Sequence, residues 1–238
     1  MKLDILAIGV HPDDVELGCS GTLMKHLAMG HKVGIVDLTR GELGTRGDAV
    51  TRLQEVEASS KILGIHVREN LGFADGFFQN DQTHQLELIK IFRKYQPAVV
   101  LTNAINDRHP DHGRSAQLTK DAAFLSGLAK IETTFNGYTQ AAFRPKAVYH
   151  YIQALHITPD FVVDISDYFA KKEEAIRAFK TQFHNPNSDE PNTFISSPEF
   201  MEFVRARAIH FGVPAGVKYA EAFTTNRYIG IDDLTKLF

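Results

Sequence analysis

From residue 3 to residue 103 the chain alternates short apolar runs with helix-length amphipathic segments, and few folds accommodate that alternation. LDILAIG (3–9), HKVGIVDLT (31–39), VRENLG (67–72) and AVVLTN (98–103) read as strands. Between them, 15–30, 50–64 and 84–96 carry apolar residues at helical spacing, and the first two end on Gly30 and Gly64. The order βαβαβαβ with nearly continuous apolar strands predicts a parallel sheet covered by helices on both faces. Beyond it the pattern is less regular. RHPDHGRSAQLTKDAAFLSGLAK (108–130) reads as a loop feeding a helix, 146–154 and 161–166 as strands, and 167–183 and 197–212 as helices. HNPNSDEPNTFISS (184–197), rich in Pro, Asn and Ser, reads as a surface loop able to cover a site. The expected class is therefore α/β, a Rossmann-like, mostly parallel sheet with helices on both faces and a C-terminal extension. We expect a single domain over 1–238, with a core at 1–130 and the later strands and helices at 131–238; the length does not require two.

In open sheets of this kind ligands bind beyond the carboxyl ends of the strands, where strand order reverses. With order 3-2-1-4, that point lies between the first and fourth strands. GVHPDDVELG (9–18) follows the first and DRHPDHG (107–113) follows the fourth, so two His-Pro-Asp segments about a hundred residues apart meet in one crevice. Adjacent Asp13 and Asp14 at the end of a buried strand need a cationic partner. A catalytic zinc commonly takes three His or carboxylate ligands and keeps a fourth position open. His11, one of Asp13 and Asp14, and one of His109 and His112 would supply the three. The carboxylate and histidine left over suit general acid–base work in metal-assisted hydrolysis. A lone HPDD could equally start a helix, since aspartate favours helix N-termini; the second segment is what tips the balance.

The remaining histidines lack such a constellation and are expected in the core or on the surface. Cys19, the sole cysteine, is expected to be a packing residue, and a chain with one cysteine fits a reducing, cytoplasmic compartment. TRGELGTRG (39–47) matches neither GxGxxG nor a phosphate-binding loop, which excludes a dinucleotide site there. Its glycines allow close backbone approach to a small polar ligand, and Arg40, Arg46, Arg52 and Arg108 could meet a carboxylate or sugar oxygens. A net charge of −3 and the lack of a basic block argue against a nucleic-acid partner, and no apolar stretch has the length of a membrane span or signal peptide.

HPDD with a glutamate two residues on, the HPDH loop, TQF (181–183) and YAEAF (219–223) together resemble the LmbE-like, PIG-L family of zinc-dependent N-acetylglucosaminyl deacetylases. LTRGELGTRG, NLGFADGFF and DRHPDHGRSAQL are most similar to the branch that deacetylates N-acetylglucosaminyl-malate in bacillithiol biosynthesis. The resemblance implies zinc on His11, Asp14 and His112, Asp13 as general base, His109 as electrostatic stabiliser or general acid, and Asp111 orienting it. It also implies that Arg52 faces the substrate, with Arg46 and Arg108 the further substrate-binding candidates, and that the protein is a homo-oligomer. Many relatives have HPDDE where Val15 intervenes here, which leaves only a role for Glu16 open. The implied substrate is a small sugar conjugate. The competing readings are a metal-dependent hydrolase of another amide or ester, and a metal- or sugar-binding module without catalysis. His and carboxylate ligands also suit Fe(II), Co(II) or Mn(II).

Overall fold

The computed structural model describes residues 1–185 and 188–236. In chain order the elements are β1 (Ile5–Gly9), α1 (Asp14–Ala28), β2 (Val33–Thr39), α2 (Ala49–Leu63), β3 (Val67–Phe73), α3 (Gln82–Tyr95), β4 (Val99–Thr102), α4 (Pro110–Leu125), β5 (Thr134–Phe135), β6 (Tyr138–Thr139), β7 (Ala147–Tyr151), β8 (Phe161–Asp164), α5 (Phe169–Arg177), α6 (Phe200–Gly212) and β9 (Ala220–Thr224). Seven strands form one sheet in the order β3-β2-β1-β4-β7-β9-β8. β3, β2, β1, β4 and β7 run parallel, while β9 is antiparallel to both of its neighbours. The architecture is thus the mostly parallel α/β sheet that the alternation predicts.

Residue alternation along β1 distributes side chains to both faces. Leu6 and Ile8 join Val36, Leu88, Phe92 and Leu118 beneath α3 and α4. Ile5 and Ala7 join Val15, Cys19, Leu23 and Tyr151 beneath α1. Cys19 is fully buried there and burial pushes its thiol pKa up, as a packing residue requires. Gly18 is needed for this contact: a Cβ on it would lie 2.2 Å from the Tyr151 ring, whose hydroxyl donates to the Ile8 carbonyl at 2.9 Å.

Elsewhere the boundaries depart from the sequence reading for identifiable reasons. The helix expected over 167–183 stops at Arg177, because Thr181 donates its N–H and hydroxyl to the Glu55 carboxylate, at 2.7 and 2.9 Å, instead of continuing the helix. The helix expected over 197–212 begins at Phe200, and the strand expected over 161–166 ends where Asp164 accepts from the Ser166 N–H and hydroxyl. YAEAF, noted only as part of a resemblance, is mostly the antiparallel strand β9, next to the edge strand β8. β5 and β6, unforeseen, close on Asn136 and Gly137, both at positive φ, a frequent pair in tight hairpin turns. The segment 108–130 also differs: α4 starts at Pro110, with His109 as its cap residue, so Asp111 and His112 lie in its first turn and not in a loop. Among the described residues no helix is long and apolar enough to cross a membrane.

Candidate active site

β1 and β4 are neighbours whose following segments diverge to opposite sides of the sheet, and at their carboxyl ends lies a cavity of about 360 Å³. His11, Asp13 and Asp14 line it from the β1 end, and His109 and His112 from the β4 end. The His11 and His109 rings are 4.7 Å apart between centroids, and the His109 and His112 rings 5.3 Å. Ligand atoms of these three histidines fall within 4.8 Å of one another.

Asp14 anchors the cluster. Its Oδ2 accepts from the Val10 and His11 N–H groups and from Asn103 Nδ2, each at 3.0 Å, while Oδ1 accepts from Gln153 Nε2 at 3.0 Å and lies 3.2 Å from His112 Nε2. Burial works against its charge, but His112 and His11 overcome it and hold the carboxyl below the usual range. The two histidines are held alike from behind. His11 Nε2 contacts Asp75 Oδ1 at 2.9 Å, and His112 Nδ1 contacts Asp107 Oδ2 at 2.5 Å. Asp107 is fixed in turn by the N–H groups of Ala154 and Leu155. A carboxylate behind each imidazole, turning its other nitrogen inward, is the usual outer arrangement of a metal-binding histidine. Among the described residues, the groups whose ligand atoms lie within 4.8 Å of one another are His11, His109 and His112, and His11, Asp75 and Asp111. Asp14 borders them through its 3.2 Å contact with His112 while both of its oxygens accept hydrogen bonds, so imidazole and carboxylate donors suited to a divalent ion are gathered at this point.

Asp13 precedes α1 at φ 136°, a conformation that side-chain-bearing residues rarely adopt. Burial raises its carboxyl to about 7, against the opposing pull of Arg52, whose Nη1 lies 3.5 Å away and also donates to the Pro12 carbonyl. His109 Nδ1 accepts from the Asp111 N–H at 3.3 Å, which leaves its proton on Nε2, and burial lowers its pKa, so the ring is a neutral donor. The Asp111 carboxylate itself bonds the Gly76 N–H and Arg114. Asp111 therefore meets the Nδ1 of His109 through its main chain rather than its side chain, because it occupies the first turn that His109 caps.

The arginines divide. Arg52 lines the cavity with its Nε buried and unpartnered. Arg108 lines it too, its guanidinium 4.7 Å from the Phe194 ring centroid. Arg46 does not line the cavity: it is buried and its Nε faces Glu190 at 3.5 Å, with Gly47 donating to the same carboxylate. That contact pins the expected covering loop, 184–197, which contributes Thr193, Phe194 and Ile195 to the cavity wall; its residues 186 and 187 lie outside the described residues. Sequence reasoning missed Asp75, Asp107, Asn103, Gln153 and Arg207. Asp107 stands two residues before His109 and Asp75 lies within NLGFADGFF, so both had a positional signal. Gln153, at the end of an apolar strand, had none.

Residues 6–123 match the family described as PIG-L: GlcNAc-PI de-N-acetylase. A conserved Thermus thermophilus protein, TT1542, whose solved structure covers 96% of this chain and is itself 97% covered, shares 35% identity and superposes with a TM-score of 0.86. The chain belongs to the PIG-L family. As a member it is an enzyme of the amide-hydrolysing deacetylase type. Diacetylchitobiose deacetylase of Thermococcus kodakarensis is 29% identical over 91% of this chain and 80% of its own length. A probable N-acetyl-α-D-glucosaminyl L-malate deacetylase of Bacillus anthracis is 25% identical over 75% of this chain and 81% of its own. Identity therefore does not single out the malate branch within the PIG-L family.

Proposed function

We propose that this chain removes the acetyl group from an N-acetylglucosamine conjugate, with zinc held by His11, Asp14 and His112, and that the conjugate is N-acetylglucosaminyl-malate. The reading is carried by one observation: the two His-Pro-Asp segments converge so that Asp14 and His112 lie 3.2 Å apart with Asp75 and Asp107 behind the two imidazoles. A divalent metal, when bound, supplies Lewis acidity toward the amide carbonyl and lowers the pKa of a water toward about 7.

The chain's own residues supply the rest. Asp13, with a carboxyl near 7, takes the proton of the attacking water, and in its protonated form returns it to the departing amine. His109 offers its Nε2–H to the carbonyl oxygen as negative charge develops there, a donor fixed in advance by the Asp111 N–H. Arg52 holds Asp13 and the Pro12 carbonyl in place. Arg108, over Phe194, faces the cavity with a charge suited to the malate carboxylates, and the similarity of LTRGELGTRG and DRHPDHGRSAQL to the malate branch supports that aglycone.

Acetate release from metal-reconstituted protein, with N-acetylglucosaminyl-malate, other N-acetylglucosaminides and free N-acetylglucosamine side by side, tests both levels. Preference for the malate conjugate is expected. Equal turnover of all glycosides would remove malate, and no acetate from any of them with metal bound would remove the deacetylase assignment.

A further inference from the structure

A second cavity, of about 260 Å³, adjoins the first and shares Gln153, Ala154, Phe203 and Arg207 with it. Its own wall is mostly apolar: buried Ile152 and Phe211 form its floor, and Leu155, Ala206, His156 and His210 form an exposed rim. The polar groups of the shared wall are turned to other partners. The Gln153 amide bonds Asn103 and Asp14, and its carbonyl accepts from Arg207. Arg207 also donates to the Leu17 carbonyl at 2.8 Å. Phe203 stands at the boundary, 37% exposed, with ring contacts to Phe194 and Phe200.

We infer that this second cavity receives an apolar group of about four to eight carbons carried by a further substrate of the same site, distinct from the malate conjugate, which has no such group; the conclusion rests on the deacetylase reading of the first cavity. Three observations carry it. The cavity borders the first along Gln153, Ala154, Phe203 and Arg207, and the Gln153 amide bonds Asp14, so a substrate with its amide at the cluster can extend toward it. Its walls reward burial of hydrocarbon and offer a ligand little to hydrogen-bond. Its volume equals roughly nine waters at about 30 Å³ each, which suits a short chain or a ring. The group could be attached on the acyl side of the amide or on the glycosidic side, and the chemistry is the same for both.

Two substrate series separate these sources: methyl glycosides of glucosamine with N-acyl groups from acetyl to octanoyl, and N-acetylglucosaminides with alkyl aglycones from methyl to octyl. We expect kcat/KM to rise about two- to fourfold per methylene in one series and then level off. Ala206→Trp, at an exposed position that lines the second cavity and not the first, should abolish the rise and leave the N-acetyl methyl glycoside within about twofold of wild type, while Ala206→Ser should behave as wild type. Flat profiles in both series, or an Ala206→Trp variant that slows short and long substrates alike, would overturn the inference. If the short methyl glycoside is not hydrolysed at all, the deacetylase reading is what fails. Calorimetry with hexyl 2-amino-2-deoxyglucoside then judges the cavity independently: weaker binding to Ala206→Trp supports it, and equal binding refutes it.

Discussion

Asp13 illustrates how a single residue holds function against stability. Its φ of 136° and its carboxyl raised to about 7 by burial are both unfavourable to the fold. Asp13→Gly relieves the backbone strain and removes the buried acid, so this variant should lose turnover yet gain about 1 kcal/mol, a rise in Tm of about 2–4 °C in a thermal melt of the metal-free protein. His112 sets the pH dependence. Burial disfavours its charge, but Asp14 and Asp107 prevail and raise its pKa from 6.5 to about 10. A raised pKa means the metal-free protein draws stability from this proton fully below pH 6.5 and loses it as the pH climbs through about 10. On the proposed ligand set, a metal would displace the same proton. Zinc affinity should therefore rise about tenfold per pH unit between pH 6 and 8, and calorimetry in buffers of different ionisation enthalpy should register proton release on binding. At this scale the sequence disclosed the groups that form the cluster, since HPDD and HPDH name them. It could not disclose Gln153, which reaches the cluster from another strand, nor that Asp111 acts through its amide while its carboxylate is drawn to Arg114.

Among elements, α1 is the one on which the others converge. Midway along it, the Leu17 carbonyl accepts from Lys172 Nζ at 3.0 Å and from Arg207, while the Gly21 and Thr22 N–H groups donate to Glu221 at 2.9 and 2.7 Å. Lys172 of α5 and Glu221 of β9 are themselves paired at 2.5 Å, with side chains nearly sealed from solvent. Removing one partner of a buried pair leaves an uncompensated charge. Glu221→Ala should thus lose about 3–5 kcal/mol in urea unfolding, and Glu221→Gln, which keeps an acceptor for the α1 amides, should lose markedly less. Periodicity exposed the helices and the parallel strands of the first half because their apolar faces are local. Helix α5 ends six residues earlier than its pattern implies, since Glu55 of a distant helix captures Thr181, and no local pattern records such a capture.

For the molecule as a whole, the ligand set proposed at the switch point would make metal binding a stabilising event. At a free zinc concentration of about 100 Kd the gain is about 2.7 kcal/mol, which corresponds to a Tm increase of about 5–10 °C for a chain of this size. A chelator should reverse the shift, and His112→Ala should not show it. The parallel half of the sheet follows from strand alternation, and the place of its switch point from the strand order supposed with it, whereas the far edge does not follow: β9 comes after the other described strands in sequence yet lies between β7 and β8. That placement has a consequence for biosynthesis. While the chain is still being made, β8 has no strand beside it, and Lys172 has no carboxylate, until the ribosome has released residues 220–224. The five parallel strands precede it and can assemble as they emerge, but closure of the sheet, and with it the bracing of the helix that begins at Asp14, waits for β9.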